Sequence, residues 1–98
     1  MKNRIKLVEI EGSTSIHIYV EITDGGDLLL SGQDLGEAPQ MIWGDSDYEY
    51  WLRIKNADKE AVLLALIEKH YSGNASVVTE LREYLESKEI PCEFHSYA

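Results

Sequence analysis

Residues 32–51 read GQDLGEAPQMIWGDSDYEYW, and the fold turns on whether this stretch is a connection or an element. It holds three of the seven glycines, one of the two prolines, both tryptophans and three aspartates. Glycine supplies positive φ, while proline fixes φ and has no N–H, so both punctuate regular structure. The expectation is a connecting stretch with a fixed shape or a working surface, set between strand-like segments.

On its N-terminal side, Ile16, Ile18, Val20 and Ile22 recur at period two, with His17, Tyr19, Glu21 and Thr23 between them. That pattern predicts a strand with one buried face and one wet face. Asp24-Gly25-Gly26-Asp27 is a tight-turn signal, and Leu28 to Leu30 returns antiparallel before Gly32 ends the run. Further upstream, Arg4 to Ile10 alternates imperfectly. Ile5 and Leu7 fall on one side and Val8 and Ile10 on the other, which predicts a short strand bulged where the phase changes.

On the C-terminal side, Tyr48, Tyr50, Leu52 and Ile54 alternate with Glu49, Trp51, Arg53 and Lys55 to make a fourth strand. Val62, Leu63, Leu66, Ile67 and His70 line one side of a helix over about 57–71, and Gly73 is its left-handed stop. Val77, Val78, Leu81, Tyr84 and Leu85 mark a second helix ending near Lys88. Ile90, Cys92 and Phe94 then alternate with Glu93 and His95 as a last short strand, with Pro91 at its start. The sum is one α+β domain over residues 1–98. It has a mostly antiparallel sheet of about five strands, in the order β-β-β-β-α-α-β, with two helices on one face.

Nine basic residues against eighteen acidic ones give a formal charge of −9. A binder of nucleic-acid backbone needs clustered Lys and Arg, and an anionic membrane surface attracts basic segments, so neither partner is expected. Cys92 stands alone, which leaves no intrachain disulfide and suits a reducing compartment. The N-terminus lacks an unbroken apolar segment, and the longest apolar run, Ala61 to Ile67, is too short to span a bilayer. A cytoplasmic protein is expected.

Asp45-Ser46-Asp47-Tyr48-Glu49 starts like a calcium loop, but Tyr50 stands where the sharp-turn glycine is needed and Asn56 where a bidentate glutamate should close the shell. The aspartates fit side-chain-to-backbone turns instead. His17, His70 and His95 lack the spacing of a ligand pair on one element. Cys92 has no CxxC companion, and no lysine follows the glycines to make a phosphate loop. No catalytic residue, metal or cofactor is expected. What remains is Asp34, Trp43, Asp45, Asp47, Tyr48 and Trp51 as a binding surface. Aromatic residues give large contact area with few rotors, and the acids select a basic protein partner. The competing account has Trp43 closing the end of the sheet and the tyrosines lining the core.

GQDLG (Gly32–Gly36), followed by GDSDYEYW (Gly44–Trp51), a helical segment and a closing IPCEF, resembles a family of small bacterial proteins for which no activity is established. The resemblance implies a bacterial source and a single compact domain, and it transfers no catalytic residue.

The expected function is that of a non-enzymatic protein-binding module, in its concrete version an immunity-type protein that blocks a basic toxin. The alternative is a small metal-assisted or small-molecule-binding enzyme using Asp34, Asp45, Asp47 and a histidine. A third class is a homo-oligomer that self-associates through an exposed strand edge.

Overall fold

A computed structural model describes residues 3–98. The chain divides into two compact units, Met1–Val62 and Leu63–Ala98. The first unit is built on a four-stranded antiparallel sheet in the order β1-β2-β3-β4, with β1 at Arg4–Ile10, β2 at Thr14–Ile22, β3 at Leu28–Gly36 and β4 at Asp47–Ile54. The α+β class and the antiparallel sheet follow the alternation in the sequence. The register of β1 on β2 shifts between Lys6 and Val8, the bulge expected from the phase change.

Residues directly opposite in an antiparallel ladder share a face. One face therefore carries the rows Ile5–Val20–Leu30–Leu52, Val8–Ile18–Gly32–Tyr50 and Ile10–Ile16–Asp34–Tyr48. The other carries Arg4–Glu21–Leu29–Arg53, Lys6–Tyr19–Ser31–Trp51 and Glu9–His17–Gln33–Glu49. The sheet has an apolar face and a polar face.

The stretch 32–51 is not a long connection. Gly32–Gly36 prolongs β3, Glu37–Trp43 forms a short helix, α1, and only residues 44–46 turn the chain into β4. Each glycine has a local reason. A Cβ on Gly32 would enter the ring of Tyr50, and one on Gly36 would strike the carbonyl oxygen of Ser13. Gly36 holds φ 120° and Gly44, the left-handed stop of α1, φ 76°. Pro39 sits in the first turn of α1, where its missing N–H costs nothing. The free donors of that turn find partners in the β1–β2 connection. Glu37 N–H donates to Ser13 O at 3.0 Å and Ala38 N–H to Thr14 Oγ1 at 2.9 Å.

After β4, a 3-10 turn at Asn56–Asp58 leads into α2, Lys59–Tyr71. In the second unit, Gly73 (φ 80°) ends the helical run, Asn74 Oδ1 accepts the Ser76 N–H, and α3 spans Val77–Ser87. The expected fifth strand at Ile90–Phe94 is absent: residues 90–98 have no regular structure. The cause is how α3 stops. Glu89 takes a left-handed φ of 57°, its N–H bonds to Glu86 O, and the Ile90 N–H bonds to Leu85 O. This double-bonded stop commits the Ile90 donor, and Pro91 has none to offer, so a ladder has no start. The tail instead follows α3. Cys92 and Phe94 line one groove with Val77, Leu81 and Leu85, and Arg82 stacks on the Phe94 ring at 4.5 Å. Cys92 is a free, exposed thiol.

Candidate functional site

The structure divides the six residues singled out above between the two faces and a turn. Asp34, Tyr48 and Trp43 belong to the apolar face. Trp43 stacks on Tyr48 with ring centroids 4.9 Å apart, Tyr48 lies 5.3 Å from Tyr50, and the Tyr50 hydroxyl donates to Asp34 Oδ1 at 2.9 Å. Burial first, then the bond to Asp34 and its charge, push the Tyr50 phenol above its ordinary value. This cluster closes the end of the sheet, although Trp43 remains 59% exposed.

Asp47 and Trp51 belong to the polar face. Asp45 is a turn residue whose Oδ1 accepts the Asp47 N–H at 3.0 Å. Asp34 and Asp47 thus lie on opposite faces, and the carboxylates required by the enzymatic alternative do not converge.

The polar face holds the candidate site. Tyr19, Ser31 and Trp51 are directly opposite on three successive strands. Strand spacing puts the two aromatic residues about 9.6 Å apart across a small serine. The result is an open trough of about 200 Å³, lined also by Arg4, His17, Gln33 and Glu49. Trp51 is 63% exposed. Arg4 stacks its guanidinium on Tyr19, 4.0 Å from the ring centre, so this ring already carries a flat cation. Gln33 Nε2 donates to Asp47 at 3.1 Å and to Glu49 at 3.4 Å, holding two carboxylates side by side.

Towards the β1 edge of the same face, Glu9, Glu11 and His17 offer one ligand atom each, all within 4.8 Å of one another. Three of the four carboxylate oxygens are already engaged. Lys6 binds Glu9 at 2.9 Å, Ser15 donates to Glu11 at 3.0 Å, and His17 Nε2 lies 3.2 Å from Glu11. The bond and charge of Lys6 hold Glu9 below the usual carboxylate value, and Glu9 raises Lys6 in turn. The group can bind cationic side chains, and in chemistry alone it could hold a divalent ion.

Glu9, His17 and Tyr19 are neighbours of this face that nothing within residues 32–51 points to. The signal was there in the wet half of the β2 alternation, which the Gly25-Gly26 turn sets opposite Ser31 and Gln33. Comparison with protein-family models, curated proteins and solved structures found no match. No helix among the described residues is long and apolar enough to cross a membrane.

Proposed function

We propose that the chain is a protein-binding module whose polar sheet face takes a basic partner, the sharper version being immunity-type inhibition of a basic toxin. The observation that carries it is that Glu9, Glu21, Asp47 and Glu49 share one face of the sheet with Tyr19 and Trp51, with Glu11 beside Glu9 and His17 at its β1 edge, around the bases Arg4, Lys6 and Arg53. Carboxylates beside exposed aromatic rings suit lysine and arginine side chains, which need both a counter-charge and a flat apolar surface. The net charge of −9 supports the same reading, because a negative field accelerates encounter with a cationic protein.

The test is association with a basic protein captured from the source cell, measured at low and at physiological salt. Added salt weakens binding, and the combined Glu9→Gln, Glu11→Gln and Asp47→Asn variant weakens it by about tenfold or more. Equal binding by this variant at low salt removes the charged face from the account.

A further inference from the structure

β4 is the last strand of the sheet and, within the first unit, pairs on one side only, with β3. The two edges of the sheet are built differently. β1 is bulged between Lys6 and Val8, a device that discourages further pairing. β4 is in unbroken register with β3 from Asp47 to Ile54 and contains neither a bulge nor a proline. Lys55, the next residue, is still extended (φ −62°, ψ 150°).

Along the polar face this edge runs Asp47, Glu49, Trp51, Arg53, Lys55: two acids, an indole, two bases. The order is antisymmetric in charge about Trp51. An antiparallel copy centred there sets Glu49 against the partner's Arg53, Asp47 against the partner's Lys55, and Trp51 against itself. On the apolar face the same register sets Tyr50 against the partner's Leu52 and Tyr48 against the partner's Ile54. Aromatic–aliphatic and opposite-charge pairs are the favourable cross-strand pairs. Centring on Glu49 or on Arg53 would oppose like charges, and centring on Tyr50 would pair only Asp47 with Arg53. Arg53 already gives one guanidinium nitrogen to Asp27 at 3.0 Å, and its remaining donors can serve the partner.

We infer that two copies of this chain pair through β4, antiparallel about Trp51, to form a continuous eight-stranded sheet. The contact is isologous and closed: it uses both smooth edges and leaves a bulged β1 at each end, so the sheet stops at two copies. The mutual repulsion of two chains of −9 is long-range and screened by physiological salt, whereas the four cross-strand charge pairs act at contact. The inference does not depend on the proposed binding role, although it would set two polar faces side by side.

The full chain should sediment at twice its 11.1 kDa mass. Asp47→Lys/Glu49→Lys and Arg53→Glu/Lys55→Glu should each raise the dimer dissociation constant by about tenfold or more, because like charges then face each other. An equimolar mixture of the two variants should restore a heterodimer. A monomeric wild type from micromolar to submillimolar concentration overturns the inference, as does a dimer that both charge reversals leave intact. Circular dichroism establishes that each variant is folded, which matters because Arg53 also holds Asp27. A second measurement does not touch that contact. In a Cys92→Ser background, Trp51→Cys should form a disulfide-linked dimer under mild oxidation, since directly opposed Cα atoms lie about 4.5–5.5 Å apart, within disulfide reach. Tyr50→Cys in the same background should stay unlinked. An unlinked Trp51→Cys protein, or linkage at 50 in place of 51, refutes the register.

Discussion

The two faces of the four-stranded sheet are made from the same strands and do different work. On the apolar face, contacts are specific and interlocked: the Tyr50 ring lies over Gly32, its hydroxyl reaches Asp34, and Trp43 stacks on Tyr48. On the polar face, contacts are single hydrogen bonds, ion pairs and one cation–ring stack, such as the exposed pair Lys6 with Glu9, Arg53 with the half-buried Asp27, and Arg4 on Tyr19. Interlocked packing fails as a unit when one member changes size, whereas exposed pairs are screened and largely independent. Changes on the apolar face should therefore read out as stability, and changes on the polar face as binding. A polar-face substitution that destabilised the chain as much as an apolar-face glycine change would break this division.

The largest expected loss is at Gly36. Alanine there must adopt a conformation open in practice only to glycine, and its Cβ meets a backbone carbonyl, that of Ser13, which cannot swing aside. The same movement would detach the first turn of α1 from Ser13 and Thr14. A cost of about 3 kcal/mol is expected for Gly36→Ala in denaturant unfolding. Gly32→Ala follows at about 2 kcal/mol, because the displaced neighbour is a side chain that can rotate, at the expense of its bond to Asp34. Near-UV circular dichroism should report Gly32→Ala directly, through loss of the ordered Trp43–Tyr48–Tyr50 stack.

These two glycines also show where the sequence stops being legible. The alternation of β2 and β4 is visible because period two needs only neighbouring residues. The need for glycine at 32 comes from Tyr50, and at 36 from Ser13, contacts that no local pattern encodes. Read locally, Gly32 looks like the end of a strand, so the extension of β3 and α1 reads as a connection. The tail misled in the opposite sense. Ile90, Cys92 and Phe94 alternate like a strand, but a left-handed Glu89, where glycine would be the usual signal, closes α3 and withdraws the Ile90 N–H from any ladder. The candidate surface was half visible. Asp47 and Trp51 do share a face, whereas the same alternation turns Tyr48, and with it the Trp43 stacked on it from α1, to the other side.

Tyr50→Phe sharpens the comparison without changing shape. It removes one hydroxyl from a hydrogen bond to Asp34 and should cost about 1 kcal/mol at neutral pH. Because the folded state raises the phenol's value, its contribution is fully present below the unfolded tyrosine value near pH 10 and is lost as pH rises through the raised folded value. The stability difference between wild type and Tyr50→Phe should thus hold constant from neutrality to about pH 9 and narrow in stronger alkali.

The smallest effect belongs to the polar face, at Asp27. Its carboxylate accepts the Asn56 N–H at 2.8 Å and the Arg53 guanidinium at 3.0 Å, and these bonds, the backbone one first, hold it below its ordinary value. A carboxylate depressed in the folded state contributes above its unfolded value near pH 4, and that contribution disappears as pH falls through the depressed one. Asp27→Asn should therefore be slightly less stable than wild type at neutral pH, and the gap should close under acid conditions. The residue is solvent-accessible, so added salt should shrink the neutral-pH gap as well. Acid titration of both proteins, followed by circular dichroism at low and high salt, separates the cases. A gap that persisted unchanged below pH 3 would mean that Asp27 supports the β2–β3 turn through shape, not charge. In that event the polar face would share the interlocked character of its opposite side, and the division between the faces would have to be redrawn at this end of the sheet.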